Sequence, residues 1–454
     1  MATNDALLQF LVSTEMARIE PFRALRYDPA RVVLWDVATQ PYDKITPEMQ
    51  ERYYLASPYN LVRIILGKRS ATDNAENNVY TRAAGFFAEW RRQGIFLQDS
   101  QPSLYRYVQR FTVPGASLEM ERQGFIALGK IENYSEGVIF PHERTLAKPK
   151  ADRLDLLRAT KAHFGQIFML YSDPAEEIEN SLVSADAAVI DLRDEYGVLH
   201  QLWRISEPDV IELVRRKMLD KKLIIADGHH RYETALNYRN ERRSSDDAAT
   251  APHPGTGELA PHELVMMTFV NMDSPGLRVL PTHRVVHGLP DFSVVEFRDR
   301  AKVFFSVEEA DGSINAARAT VMLREAAHTG TSLLAVTRDR AFLLSRSNAP
   351  PEIFSGTSLR QQGLDVVQLH KCLLERALGI SEEAIRNQQN VTYVRDASEA
   401  MSMVRGSGAN VAFLMNPVRL PQIRDIAFAG EVLPQKSTDF YPKLLSGLTI
   451  YATQ

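Results

Sequence analysis

The sequence predicts a mixed α/β fold in more than one domain, on three observations. The chain has 454 residues, more than one ordinary core accommodates. Short apolar runs of strand length alternate with amphipathic stretches of helix length along most of it. Its composition, 44% hydrophobic and 24% charged, is that of a globular protein and not of a disordered or fibrous one.

Taken in order, Val32-Val-Leu-Trp35 reads as a strand, followed by a turn at Gln40-Pro-Tyr-Asp43. A helix is expected to start at Thr46 as N-cap, with Pro47 at its first position. After Ser57-Pro-Tyr-Asn60, Leu61 to Leu66 reads as a strand and Tyr80 to Gln93 as a helix. Alternating strands follow near 103–112 and 119–128. The middle of the chain gives a helix over about 151–164, a strand over Ile167 to Tyr171, and a strand pair near Ala187 and Leu199. A helix from Pro208 to Met218 leads into the strand Leu223 to Ala226, and the next helix begins within 230–238. Ser244 to Gly257 reads as a surface loop, and Leu264 to Val270 as a buried strand. Further strands are expected at 332–337, 341–344, 390–394 and 411–415. The resulting division is an N-terminal α+β segment over 1–130, a central segment over 131–290 and a C-terminal α/β segment over 291–454.

The balance of 53 basic against 57 acidic side chains gives no global attraction for nucleic acid or an anionic membrane, so neither is an expected partner. An anion site has to be local. The one cysteine, Cys372, lies among apolar residues at helical spacing and reads as a packed thiol. A reducing cytoplasm fits it, and no stretch has the length and apolarity of a signal or membrane span.

The strongest chemical signal is Asp227-Gly-His-His-Arg231, where an apolar strand runs into a helix. Such a junction offers backbone N–H groups and the positive end of a helix dipole to an anion. Gly228 allows a sharp bend, Arg231 brings a fork that grips two phosphate oxygens, and His229 and His230 can donate or shuttle a proton. Asp227 is suited to orient a histidine or hold a magnesium ion. The plainer alternative is an N-cap, a turn glycine and a polar helix start.

A second signal is Phe140-Pro-His-Glu-Arg-Thr145, in which Glu143 is flanked by His142 and Arg144, a setting for a general base. Lys148, Lys150 and Arg153 add positive charge just beyond it. The alternative is a basic surface loop with Glu143 in an ion pair. A third, Lys436-Ser437-Thr438, followed by Phe440-Tyr-Pro-Lys443, sets an ammonium beside two hydroxyls. Thr282-His283-Arg284 is comparable: it either lines a site or ends a strand. Gly67-Lys-Arg-Ser70 lacks P-loop spacing, and no dinucleotide fingerprint follows a strand. Histidines 142, 229, 230, 262 and 283 with Glu143 keep a metal hydrolase open as a lesser reading.

With these segments in view, the chain resembles a bacterial family of formerly unknown function that carries the Asp-Gly-His-His-Arg signature. That family is related to the free serine kinases of the ParB and sulfiredoxin-like superfamily. The resemblance runs from Phe22-Arg-Ala-Leu-Arg-Tyr27 through Pro141 to Thr145, Ala226 to Ala235 and Leu280 to Arg284, and on to Lys436 to Thr438 and Tyr441 to Gly447. It implies a ParB/sulfiredoxin-like core elaborated with N- and C-terminal α/β segments. It also implies a kinase that makes O-phospho-L-serine from free L-serine, feeding cysteine or serine metabolism, with Mg2+ and with ATP, ADP or pyrophosphate as donor. Glu143, Asp227 and His230 are then the expected catalytic residues, with Asp227 also the expected metal ligand. Phosphate and substrate binding is expected of Gly228, His229, Arg231, His142, Arg144, Thr145, His283, Arg284, Lys436, Ser437 and Thr438. A ParB-like nucleotide-binding module without transfer and a phosphate-ester hydrolase are the alternatives.

Overall fold

The computed structural model of the protein describes residues 17–144, 147–245, 258–406 and 408–454. Thr145 and nearly all of the loop expected at 244–257 lie outside the described residues. The chain divides into two compact units: Met1–Pro141, Leu146–Leu277 and Pro442–Gln454 form the first, and His142–Thr145 with Arg278–Tyr441 the second.

The first unit is built on a nine-stranded mixed sheet among the described residues. Its strands are β1 (Ile19–Glu20), β2 (Leu104–Thr112), β3 (Glu119–Lys130), β4 (Ile139–Pro141), β5 (Ile167–Tyr171), β6 (Ile190–Arg193), β7 (Leu199–Ile205), β8 (Leu223–Asp227) and β9 (Leu264–Asn271). The order is β4-β8-β5-β9-β3-β2-β7-β6, with β1 on β3. β5 and β9 are buried throughout, as their unbroken apolar runs require. Phe125 of β3 sits opposite Phe269 of β9, their rings stacked at 5.0 Å, a cross-strand pair that fixes the register. This pairing ties residues 125–130 to 264–269.

Four helices matter for the site: α1 (Val79–Arg92), α2 (Ala147–Thr160), α3 (Pro208–Met218) and α4 (His229–Ser245). α3 buries Ile211, Val214 and Met218, a three- and four-residue spacing that lays one apolar stripe on the core. Two expected strands are short helices instead, Leu34–Val37 and Val62–Ile65. The reason is local: Asn60 accepts the Val62 amide at 2.9 Å and donates to the Asp36 carbonyl at 2.7 Å, which coils the chain where a short, mostly apolar run alone does not choose. Thr46 caps its helix as expected, accepting from the Met49 amide.

The second unit carries a six-stranded sheet among the described residues: β10 (His283–Val286), β11 (Ser306–Ala310), β12 (Ser332–Val336), β13 (Ala341–Ser345), β14 (Val391–Val394) and β15 (Val411–Met415). Their order is β11-β13-β12-β15-β10-β14, every pairing antiparallel. Cys372 is fully buried and burial pushes its thiol up to about 12, which leaves it inert as a nucleophile.

Candidate functional site

In the first unit, β8 is buried up to Ala226 and is bulged against β5 between Ile225 and Asp227. The extra residue turns the Asp227 side chain out of the regular alternation. Gly228 follows with φ of +93°, where a side chain is strained, and α4 begins at once. A Cβ on Gly228 would lie 3.1 Å from the Arg231 guanidinium, so glycine is also what lets Arg231 fold back over the turn. One Arg231 nitrogen donates to the Gln166 carbonyl, and the other approaches Asp227 at 3.5 Å.

Asp227 lies beside two cations, Lys443 and Arg231. Lys443 Nζ is 3.7 Å from its carboxylate, and both side chains are largely covered. Burial works to raise the Asp227 carboxyl, but the charges of Lys443, Arg231, Lys44 and His229 outweigh it and hold the group well below the usual carboxylate range. Asp227 is thereby kept ionised at the positive end of a 17-residue helix. Arg122, fully buried, adds to this field; burial brings it down to about 10, with Tyr107 and Asp227 pulling the other way. Beside the turn, a largely apolar pocket is lined by Tyr42, Phe164, Ile167, Arg231 and Thr234.

In the second unit, Glu143 pairs with Leu433 in a parallel bridge, and the Leu433 amide donates to the His142 carbonyl at 2.8 Å. The Glu143 carboxylate accepts from the Thr438 amide at 2.8 Å, the Thr438 hydroxyl at 2.7 Å and the Lys436 amide at 3.2 Å. Because the Thr438 hydroxyl hydrogen goes to Glu143, His142 Nε2, 2.7 Å away, acts as the donor to that oxygen. Lys436 takes a left-handed φ of +56°, and its carbonyl is held by Arg284 at 3.1 Å. Ser437 Oγ donates to the Pro434 carbonyl at 2.6 Å. The 436–438 loop thus grips Glu143 mainly through its backbone, and Arg284 grips the loop.

The remaining expected residues separate clearly. His230 is half-buried on the first turn of α4, while His229 supplies the neighbouring histidine charge on Asp227. Arg144 is largely exposed and faces Glu382 at 3.7 Å, outside the hydrogen bonds that hold Glu143. His283 is buried, its Nδ1 accepting the Met415 amide at 3.3 Å. Lys150 pairs with Glu233 at 2.6 Å, and Arg153 donates to the Ile65 carbonyl at 2.6 Å. The magnesium role expected of Asp227 does not fit either: a carboxylate surrounded by ammonium and guanidinium groups repels a divalent cation. Among the described residues no group of three or more His, Cys, Asp or Glu is arranged to hold a metal, and no helix is long and apolar enough to cross a membrane. Sequence reasoning missed Lys44 and did not assign Lys443; the second stood in the quoted 440–443 segment, whereas nothing in the sequence marked the first.

Burial lowers His163 to about 4 in the first unit and, with Arg284 adding to the effect, His283 to about 4 in the second. An unfolded histidine titrates near ~6.5. Between those values the unfolded chain binds protons the folded chain refuses, so stability is full above the unfolded value and falls as pH drops toward 4. Thermal melts from pH 7.5 to 5 are expected to show this fall. His163→Phe, which keeps a ring against Tyr451, is expected to flatten it; an unchanged slope contradicts the assignment.

Fold and site together define a mixed α/β protein with a cation-lined strand-to-helix turn. The chain belongs to the family described as Protein of unknown function (DUF1015), whose model matches residues 19–367. No curated protein matches it. Among solved structures, a conserved hypothetical protein from Pyrococcus furiosus aligns over 67% of this chain and 87% of its own, with a TM-score of 0.33 and 11% identity. Free serine kinase in complex with AMP aligns over 67% and 83%, with 0.33 and 11%. SbnI with a C-terminal truncation, from Staphylococcus aureus, aligns over 71% and 85%, with 0.33 and 10%. TM-scores of this size do not establish a shared fold.

Proposed function

We propose that the protein is a small-molecule kinase that transfers a phosphoryl group to free L-serine, with ATP, ADP or pyrophosphate as donor. The observation that carries this reading is the Asp227 turn, where Lys443, Arg231, Lys44 and His229 crowd one carboxylate at the start of α4. Cationic side chains at a helix start suit a phosphate group. Gly228, His229 and Arg231 hold the phosphoryl group, and His230 is a proton-bearing neighbour. The apolar pocket that shares Arg231 with the turn suits the base of a nucleotide donor.

Glu143 is the base. A carboxylate has about four acceptor directions, and three are taken by Thr438 and Lys436, which leaves about one for a substrate hydroxyl. The serine oxygen attacks the terminal phosphorus as the bond to the leaving phosphate breaks, and its proton passes to Glu143. His142, Ser437 and Arg284 act by positioning Thr438 and the 436–438 loop. The two roles rest on observations made within separate units. Magnesium enters as the counter-ion of the donor, with no protein ligand assigned.

The test is to incubate the purified protein with serine, magnesium and each donor in turn and to follow phosphoserine by phosphorus NMR. Phosphoserine is expected with at least one donor. No phosphoserine with any donor overturns the reading, and donor cleavage independent of serine marks a hydrolase instead.

A further inference from the structure

The cavity beside the Asp227 turn measures about 70 Å³, several times the ~10–15 Å³ that one water needs on the same measure. Its lining is mainly apolar, with Leu157, Phe164 and Val265 among the walls. His163 also lines it, and burial lowers that ring to about 4, so it carries no charge near neutral pH. Of the two arginines in the lining, Arg153 is held by the Ile65 carbonyl at 2.6 Å, and Arg231 reaches from here to the Asp227 turn. A diphosphate held at the turn would leave these walls unused. A planar aromatic group attached to it would fill them.

One residue in that lining is out of keeping with its place. Thr234 lies on α4, three residues beyond Arg231, and is only 4% exposed. A serine or threonine inside a helix commonly turns its hydroxyl to the carbonyl four residues back. Ser244 and Ser245 do so in this same helix, each at 2.9 Å, and Thr160 does so at the end of α2 at 2.8 Å. The Thr234 hydroxyl is buried and has no hydrogen-bond partner among the described residues. A valine would fill the same volume without leaving a polar atom unbonded, so packing alone gives no reason for a threonine here. A ligand atom in the cavity supplies one, and the two χ1 wells of a helical threonine let the hydroxyl turn to meet it.

We infer that this cavity takes the base of the phosphate donor, that Thr234 is the specificity-determining residue that bonds it, and that the donor is therefore a nucleotide and not pyrophosphate. This rests on the reading of 227–231 as the site of the donor's phosphates. Calorimetric titration of the full chain with ADP and with inorganic pyrophosphate tests it, on wild type and Thr234→Val, each with a thermal melt. Wild type is expected to bind ADP at least about tenfold more tightly than pyrophosphate, since only ADP fills the cavity. Thr234→Val is expected to weaken ADP by about fivefold, the size of one hydrogen bond to a ligand, and to leave pyrophosphate unchanged. Its melting temperature should not fall, because no bond within the protein is lost. Equal affinity of wild type for ADP and pyrophosphate overturns the inference while leaving the turn as an anion site. So does unchanged ADP affinity in Thr234→Val. A lowered melting temperature with both ligands weakened alike, or a Thr234→Val chain that does not fold, makes the hydroxyl structural and overturns it too. Binding of neither ligand by wild type overturns the underlying reading as well.

Discussion

Replacing Glu143 with Gln is expected to lower the rate of phosphoserine formation by about a thousandfold, within the range of roughly 10² to 10⁴ that a positioned general base contributes. The fold should persist, because an amide oxygen still accepts the two Thr438 bonds at 2.7 and 2.8 Å. One contact turns unfavourable: the new amide nitrogen faces the Lys436 N–H, where Glu143 now accepts at 3.2 Å, at a cost of on the order of 1 kcal/mol. A small drop in melting temperature with collapsed turnover is thus the expected pair of results. Turnover equal to wild type would remove Glu143 from the chemistry.

Arg231→Met is the second large effect expected. It removes the donor to the Gln166 carbonyl and one of the cations facing Asp227. Charge-assisted hydrogen bonds contribute roughly 1.5–3 kcal/mol each, so losing a two-pronged grip should weaken ADP or pyrophosphate by about a hundredfold or more. Arg231→Lys should restore charge but not the planar fork, and so recover only part of the affinity. Titration of both variants checks this, and donor affinity unchanged in Arg231→Met sinks the role.

Much of this site was legible in the sequence because its signals are local. Leu223 to Ala226 followed by Asp227-Gly-His-His-Arg231 announces a buried strand, a glycine bend and a helix start, and the structure has each in place. The strand Val411–Met415 and the helix Pro208–Met218 were equally clear, one from an unbroken apolar run and the other from a periodic one. What was not legible depends on contacts far apart in the chain. Lys443 meets Asp227 across more than two hundred residues, and Thr438 meets Glu143 across nearly three hundred. The segments Leu34–Val37 and Val62–Ile65 misled for the opposite reason: a short, mostly apolar run fits either structure, and the Asn60 side chain decided. Arg144 was grouped with Glu143 by adjacency alone, yet consecutive side chains on an extended backbone point to opposite sides, and it faces Glu382.

The central claim is that the Asp227 to Arg231 turn receives the phosphates of the donor. A crystal structure of the full chain with ADP tests it most directly. The account expects the diphosphate at the start of α4, within hydrogen-bond distance of the Arg231 guanidinium. A diphosphate bound elsewhere, out of contact with Arg231, would contradict it.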